Sequence, residues 1–216
     1  MSELLHSIKL KYTDSNFDIT IKTMRNIFIL VLFLSFSMLI KAEYKWTKQI
    51  VGTTNLFTCV DFINPETGLV IGSPNFLFRT TNGGVNWNKI DIGTLNGIST
   101  VTYVNKSIAF ISGEDGAILK TIDGGLTWKR MTSGVSSTLY TINFVDENIG
   151  YAAGLQGIII KTTDGGNSWT RLNNQFSNHI YRISFLNKDT GFVAGRDGLI
   201  ARTINAGATW EVMNTG

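Results

Sequence analysis

Four acidic or amide side chains recur at one spacing and are the most regular candidates for chemistry in this chain. Asn82, Asp123, Asp164 and Asn205 stand 41 residues apart. Carboxylate and amide oxygens could coordinate calcium or bind a polar substrate. The same groups accept hydrogen bonds from backbone N–H groups just ahead of them and so close tight turns. Because they recur once per repeat and have local donors, we expect them to build turns, with no metal or other cofactor.

Each of these side chains lies in an eight-residue element that ends in tryptophan. A glycine pair permits positive φ where the chain reverses, and the indole is expected to fill the gap between neighbouring sheets with its N–H bonded at the rim. Ala206 replaces one glycine. The structural positions that we predict are Asn82, Gly84, Trp87, Asp123, Gly125, Trp128, Asp164, Gly166, Trp169, Asn205, Gly207 and Trp210.

The 41-residue step extends through the whole unit and predicts the fold. Each unit divides into four short strands, which in the third copy are about 139–145, 150–153, 158–163 and 168–172. Four antiparallel strands in each of several repeats of about 40 residues are typical of β-propeller blades. We therefore predict an all-β propeller of four-stranded antiparallel blades, with about four blades present. The repeats are 47–87, 88–128, 129–169 and 170–210 within residues 43–216.

Trp46 carries the same spacing but has no first three strands before it. We expect that the array continues past residue 216 or that the chain is a fragment of a larger propeller. Otherwise the strand of Trp46 lies at an open edge, and open edges favour association.

The N-terminal segment is predicted to be a signal peptide. Residues 24–42 combine a short basic start, an apolar run over 27–40 and the small residue Ala42. The run is shorter than the roughly 20 apolar residues of a spanning helix. We expect cleavage after Ala42, residues 1–23 to be a misassigned start, and the mature chain to be secreted, periplasmic or at the cell surface without a stable membrane span. The alternative is a signal anchor.

Charge and cysteine content exclude several function classes. Residues 43–216 hold 14 Lys and Arg against 13 Asp and Glu and are nearly neutral, so most of the net charge of +3 lies before residue 43. This balance gives no electrostatic basis for nucleic-acid binding. Cys59 is the only cysteine, which excludes an internal disulfide, and we expect it to be a small buried hydrophobic residue on an inner strand.

Residues 154–169 carry the clearest family signature, with two spaced glycines, a basic residue and the Thr-Thr-Asp-Gly-Gly-Asn-Ser-Trp turn. This unit resembles the Asp-box, or bacterial neuraminidase repeat, found in sialidases, sortilin-like receptors and the photosystem II assembly and stability factor family. The unit looks most like that of the last family. The resemblance implies a non-enzymatic propeller that binds a protein client outside the cytoplasm. The alternative is a sialidase-like glycan-binding or glycoside hydrolase fragment.

The arginine pattern argues against a sialidase site. A sialidase needs an arginine triad and acidic groups, but Arg79 and Arg202 share a repeat position with Lys120 and Lys161. A residue that recurs in every blade is more often architectural than catalytic, so no catalytic residue is predicted. This basic column and a second one, formed by Lys48, Lys89, Arg130 and Arg171, could form a positive rim for an acidic partner. We favour the interpretation that they guard exposed outer strands against edge pairing.

Four side chains are the predicted contacts for a partner, three of them on the face made by the d–a and b–c loops (a to d being the strands of a unit in order) and Arg182 on an inner strand. They are Arg182, Arg196, Tyr140 and His179. Arg182 breaks its repeat column, which otherwise holds Cys59, Thr100 and Thr141, and is expected near the central channel. The alternative for Arg182 is an ion pair with Asp61 in the same inner layer.

Overall fold

A computed structural model of the chain describes residues 47–49, 51, 53, 56–93 and 96–214. The expected leader (1–23), the expected signal peptide (24–42) and Trp46 lie outside these residues. The chain divides into two compact units, Met1–Lys48 and Gln49–Gly216. All described strands belong to the second unit. Within the described residues, no helix is long and apolar enough to cross a membrane.

The described residues form sixteen strands in four antiparallel sheets, each with its strands in chain order. Blade 1 holds β1 (Phe57–Phe62), β2 (Gly68–Gly72), β3 (Phe76–Thr80) and β4 (Asn88–Ile90). Blade 2 holds β5 (Ile98–Tyr103), β6 (Ala109–Gly113), β7 (Ile118–Thr121) and β8 (Lys129–Met131). Blade 3 holds β9 (Leu139–Phe144), β10 (Gly150–Gly154), β11 (Ile159–Thr162) and β12 (Thr170–Arg171). Blade 4 holds β13 (Ile180–Phe185), β14 (Gly191–Gly195), β15 (Ile200–Thr203) and β16 (Glu211–Val212).

The predicted all-β propeller architecture is confirmed, with four blades of four strands each. The outermost strand is shorter than the sequence pattern suggests, since β12 covers only Thr170–Arg171. The Asp-box turn continues through Trp169 before the chain can pair with β11. Ser168 and Trp169, which we predicted to begin this strand, therefore belong to the turn.

The hydrophobic core lies between successive blades rather than within any one of them. Three buried clusters each join two neighbours, because every inner strand presents side chains to both sides. Between blades 1 and 2 the cluster includes Leu69, Ile71, Leu77, Ile98, Val101 and Ile111. Between blades 2 and 3 it includes Phe110, Ile118, Leu139, Ile142, Ala152 and Ile160. Between blades 3 and 4 it includes Tyr151, Ile159, Ile180, Ile183, Phe185 and Trp210.

Two residues show how the repeat positions serve this packing. Cys59 lies on β1, half-buried against the cluster between blades 1 and 2, with its Sγ 3.5 Å from Oγ1 of Thr100. Gly154 ends β10, where an added Cβ would collide with the carbonyl oxygen of Thr138. Glycine at this repeat position thus lets the second strand approach the chain entering the first.

Candidate functional site

The carboxylate of Asp123 is saturated by its own turn. Its Oδ1 accepts hydrogen bonds from the backbone N–H groups of Leu126 at 3.0 Å and Thr127 at 2.9 Å. Its Oδ2 accepts the hydroxyl of Thr127 at 2.6 Å. The hydroxyl of Thr121 donates to Oδ1 at 2.7 Å and accepts the N–H of Gly125 at 3.0 Å. The turn is therefore closed from both sides by side-chain oxygens.

Asp164 repeats this arrangement, and its pKa reflects it. The hydroxyl and backbone N–H of Ser168 and the hydroxyl of Thr162 donate to the carboxylate, and these bonds lower the pKa of Asp164 from 3.8 to about 2. The same kind of bonds, led by those from Thr127, lowers the pKa of Asp123 further. Among the described residues, no group of three or more His, Cys, Asp or Glu side chains is placed to hold a metal ion.

The two amide copies keep the turn without the charge. Oδ1 of Asn82 accepts the backbone N–H of Asn86 at 2.9 Å, and Oδ1 of Asn205 accepts that of Thr209 at 2.9 Å. Ala206, which replaces a glycine, takes a φ of +59°, a conformation that carries a strain in any residue with a Cβ. The acceptor oxygen, rather than the negative charge, is what all four turns share.

Three of the four described tryptophans, Trp87, Trp169 and Trp210, pack edge-on against an aromatic ring of the same blade. Trp169 meets Phe144 at 6.0 Å and 85°, and Trp210 meets Phe185 at 6.2 Å and 82°. The indole of Trp128 donates from Nε1 to the carbonyl oxygen of its own turn at 3.2 Å. We expected such a partner in every copy, and this is wrong for the other three described tryptophans.

The Nε1 atoms of Trp87, Trp169 and Trp210 are buried with no hydrogen-bond partner among the described residues. A Cβ at Gly84 would stand 3.3 Å from Nε1 of Trp87. The ring edge thus packs on the backbone of its own turn and is kept from solvent.

The basic residues of the third strands bind the next blade. Each side chain reaches the carbonyl oxygen of the first glycine position in the following Asp-box turn. The atom pairs are Arg79 Nε and Gly124 O at 2.8 Å, Lys120 Nζ and Gly165 O at 2.7 Å, and Lys161 Nζ and Ala206 O at 3.4 Å. We interpreted this column of basic residues as protection of exposed outer strands. That interpretation is wrong for Arg79, Lys120 and Lys161, because their charged groups donate hydrogen bonds to the next blade.

Arg182 does not pair with Asp61. Oδ2 of Asp61 accepts the backbone N–H of Tyr103 on the next blade at 2.7 Å. Among the described residues the ion pairs are Arg196–Asp197 and Arg202–Glu211. Asp61 lies on the first blade and Arg182 on the fourth, and the carboxylate of Asp61 is hydrogen-bonded to the second blade. Since Ile183 and Phe185 of β13 pack toward blade 3, Arg182 lies on the opposite face of the strand, where it is exposed.

Three aromatic rings meet where β9 and β13 begin. The ring centroids of Tyr140 and Tyr181 are 5.7 Å apart, those of Tyr140 and His179 6.3 Å, and those of His179 and Tyr181 6.4 Å. Tyr140 and His179 are half-buried and Tyr181 is exposed. Nδ1 of His179 accepts the backbone N–H of Gln156 at 3.3 Å, so a neutral ring carries its proton on Nε2. We call Tyr140, His179 and Tyr181 the aromatic rim.

Arg196 lies beside this rim. Its backbone N–H donates to the carbonyl oxygen of His179 at 2.8 Å, and its guanidinium pairs with Asp197 at 3.6 Å, with both side chains exposed. Asp197 holds a positive φ of 55° and accepts a hydrogen bond from Asn178 at 3.2 Å. The backbone contact fixes the place of Arg196 next to the rings, while its charge stays in solvent.

Comparison with known proteins agrees with these features. The family model described as Photosynthesis system II assembly factor YCF48 matches residues 38–135 and 131–215, more than half of the chain. The chain belongs to this family. No curated protein sequence matches it significantly.

Solved structures similar to this YCF48-family chain share its fold at low sequence identity. A structure described as YCF48 bound to D1 peptide aligns with a TM-score of 0.66 and 19% identity, over 79% of this chain and 59% of that one. The GH74 enzyme of Niastella koreensis aligns with a TM-score of 0.59 and 19% identity, over 72% and 30%. An ancestral GH74 enzyme aligns with a TM-score of 0.62 and 17% identity, over 80% of this chain and 26% of that one. The chain thus spans about three-fifths of the YCF48 chain.

Of the four predicted partner contacts, the structure brings three together in this family member. Tyr140 and His179 belong to the aromatic rim and Arg196 lies beside it, whereas Arg182 is exposed on the opposite face of β13. Tyr181 was not among the predicted contacts. Its signal was present in the repeat, because the third and fourth copies carry tyrosine where the first two carry Thr58 and Ser99.

Proposed function

We propose that this chain is a non-enzymatic, extracytoplasmic propeller that binds a protein client through the aromatic rim and Arg196. The observation that carries the proposal is the contact of three aromatic rings beside an exposed guanidinium. Tyrosine and arginine are enriched among the residues that dominate binding energy at protein interfaces. A structure of YCF48 with a bound D1 peptide supports a peptide segment as the class of client.

The distribution of polar groups supports binding rather than catalysis. The carboxylates of Asp123 and Asp164 accept hydrogen bonds within their own turns, and the ammonium of Lys120 donates a hydrogen bond to the neighbouring blade. Groups tied in this way are not available as an acid, a base or a substrate clamp. The extracytoplasmic location rests on the signal peptide expected at residues 24–42.

The test is quantitative capture of clients from a cell-envelope fraction by immobilised protein, read by mass spectrometry. Proteins captured by the wild type and lost with Tyr140→Ala, His179→Ala or Arg196→Ala are clients of the rim. Truncation of a dominant interface residue costs about 2 kcal/mol or more, a loss of at least roughly thirtyfold in affinity. Arg171→Ala is the matched control, because Arg171 is exposed on β12. Equal capture by all variants would refute the proposal.

Arg182 is tested in the same experiment. It is exposed and follows Tyr181 directly on β13, and we propose that it adds a second cationic contact for the client. Arg182→Ala should weaken capture without lowering the unfolding midpoint. Unchanged capture would remove Arg182 from the site and leave the rim proposal standing on Tyr140, His179 and Arg196.

A glycan is the second candidate ligand. The fold similarity to two GH74 enzymes motivates it, and exposed tyrosine rings can stack on sugars. A glycan array and a fluorogenic sialoside assay distinguish this from protein binding. Array signal that is lost with Tyr140→Ala, or turnover of the sialoside, would favour the glycan alternative over a protein client.

A further inference from the structure

The chain contains two Asn-Gly dipeptides, and the structure holds them in different environments. They are Asn82–Gly83 and Asn96–Gly97. An asparagine before glycine is prone to lose its side-chain amide. The backbone nitrogen of the next residue can attack the side-chain carbonyl carbon, and glycine has no side chain that hinders the approach. Which of the two asparagines reacts depends on how freely these atoms can meet in the folded chain.

Asn82 is held away from this reaction by its Asp-box turn. Its Oδ1 accepts the hydroxyl of Thr80 at 3.0 Å and the backbone N–H of Asn86 at 2.9 Å. The nitrogen that would attack belongs to Gly83, and its N–H donates to the carbonyl oxygen of Glu66 at 2.8 Å. Both reacting groups are therefore fixed by the hydrogen bonds that close the turn.

Asn96 lies outside any Asp-box turn. It is exposed in the connection between β4 and β5. Its Nδ2 donates a hydrogen bond to Oδ2 of Asp115, in the turn between β6 and β7. In the part of the chain that the structure describes, the N–H of Gly97 has no hydrogen-bond acceptor. The attacking nitrogen and the amide of Asn96 are therefore held less tightly than those of the first dipeptide.

A carboxylate lies beside the peptide unit of Gly97. A Cβ built on this glycine would stand 2.9 Å from Oε1 of Glu114, so the carboxylate packs directly on the glycine backbone. The backbone nitrogen must lose its proton as it attacks, and a nearby carboxylate can accept that proton directly or through one water. Glycine is required for this arrangement, because a side chain at position 97 would occupy the place of the carboxylate.

We propose that Asn96 is a site of spontaneous deamidation, with Glu114 as the base. The nitrogen of Gly97 bonds to Cγ of Asn96 and passes its proton to the carboxylate. The bond from Cγ to Nδ2 then breaks, and the amide nitrogen takes up that proton and leaves as ammonia. Water opens the resulting succinimide at either carbonyl and leaves aspartate or isoaspartate at position 96. Water is the only co-reactant.

The reaction changes the face made by the d–a and b–c loops. Asp115, which accepts the hydrogen bond from Asn96, holds a φ of +52°. Either product replaces the donor of that bond with a carboxylate, and neighbouring carboxylates repel each other. We therefore expect the turn around Asp115 to loosen and this face of blade 2 to gain one negative charge.

Ageing of the purified chain in mildly alkaline buffer tests the site. Tandem mass spectrometry of its peptides measures, at each asparagine, the mass gained when the amide NH₂ is replaced by OH. In the folded protein Asn96 should convert severalfold faster than Asn82. It should also convert severalfold faster than Asn178, which makes the same kind of bond to Asp197 at 3.2 Å but precedes a histidine. Conversion of either control as fast as Asn96 would overturn the proposal.

The same measurement in urea separates the effect of the fold from that of the dipeptide. Once the turns are lost, Asn82 should convert as fast as Asn96, because both precede glycine, while Asn178 should stay slow. An Asn82 that stays as slow in urea as in the folded chain would show that the Asp-box turn does not protect it.

Two substitutions test the base and the consequence. Glu114→Gln keeps the shape of the side chain and should slow conversion of Asn96 severalfold, whereas Glu66→Gln, at an exposed glutamate, should leave the rate unchanged. Equal rates in the two variants would overturn the role of Glu114. Asn96→Asp reproduces one product, and amide hydrogen exchange over residues 114–117 should be faster in this variant than in the unaged wild type. Unchanged exchange would contradict the expected loosening of the turn.

Discussion

Lys120 reaches across to the next blade and places its Nζ 2.7 Å from the carbonyl oxygen of Gly165. The acceptor lies in the turn that Asp164 closes, so the contact ties the third strand of one blade to the Asp-box of the following one. The ammonium also stands 5.7 Å from the ring of Phe110. The motif therefore works as a connection between blades as well as a turn within one.

Removal of this contact should destabilise the protein. A hydrogen bond from a charged donor contributes about 1.5–3 kcal/mol, and partial exposure of Lys120 lowers our expectation to about 1–2 kcal/mol for Lys120→Met. Urea unfolding followed by tryptophan fluorescence measures the loss. Lys120→Arg should restore most of it, because arginine fills the same role at position 79. Lys129→Met, on the exposed strand β8, is the control. Equal stability of the two methionine variants would contradict the assignment.

Acid should weaken the turn at Asp164. Its pKa is about 2 in the folded protein against an ordinary value of 3.8, so the carboxylate stabilises the folded state fully above about pH 4 and loses this contribution as the pH falls toward 2. Asp164→Asn keeps the acceptor oxygen, as Asn82 does, but cannot titrate. The stability difference between wild type and variant should therefore be largest near neutral pH and vanish in acid. Chemical denaturation across a pH series measures it, and a constant difference would contradict the prediction.

The repeat predicted the blades because each structural demand recurs every 41 residues. Tryptophan, glycine and the turn acceptor return with that period, and antiparallel pairing follows from short strands joined by tight turns. The function of the basic column could not be predicted in this way. Whether Lys120 guards an edge or reaches a neighbouring carbonyl depends on how successive blades stack, which a period within one chain does not specify.

The candidate site was only partly predictable for a related reason. Tyr140 and His179 could be placed on the loop face from their strand positions, yet their contact with Tyr181 needs two blades to converge at the inner rim. The alternative for Arg182, an ion pair with Asp61, rested on the two residues sharing an inner layer. The layer extends across four blades, however, and Asp61 is held by Tyr103 of the adjacent one.

Alanine substitutions at two glycines with positive φ distinguish the cost of backbone strain from the cost of a steric clash. Gly134 has a φ of +74°, and an added Cβ would make only an ordinary contact with the carbonyl oxygen of Trp169 at 4.0 Å, whereas a Cβ at Gly125, with a φ of +93°, would lie 2.9 Å from the buried side chain of Leu69. We expect Gly134→Ala to cost about 1–2 kcal/mol and Gly125→Ala about 2–4 kcal/mol. Urea unfolding midpoints measure both. Equal losses would show that Leu69 can give way.

The two indole environments predict an unusual order of stability for phenylalanine substitutions. Nε1 of Trp128 donates to the carbonyl of Gly125 at 3.2 Å, whereas Nε1 of Trp169 is buried with no partner among the described residues. Both substitutions remove similar ring volume, but Trp128→Phe also breaks a hydrogen bond, while Trp169→Phe removes a donor whose burial is uncompensated. Trp128→Phe should therefore cost about 1 kcal/mol more than Trp169→Phe. Thermal and urea unfolding of the two variants measure the difference, and an equal or larger loss for Trp169→Phe would show that its N–H is satisfied in solution.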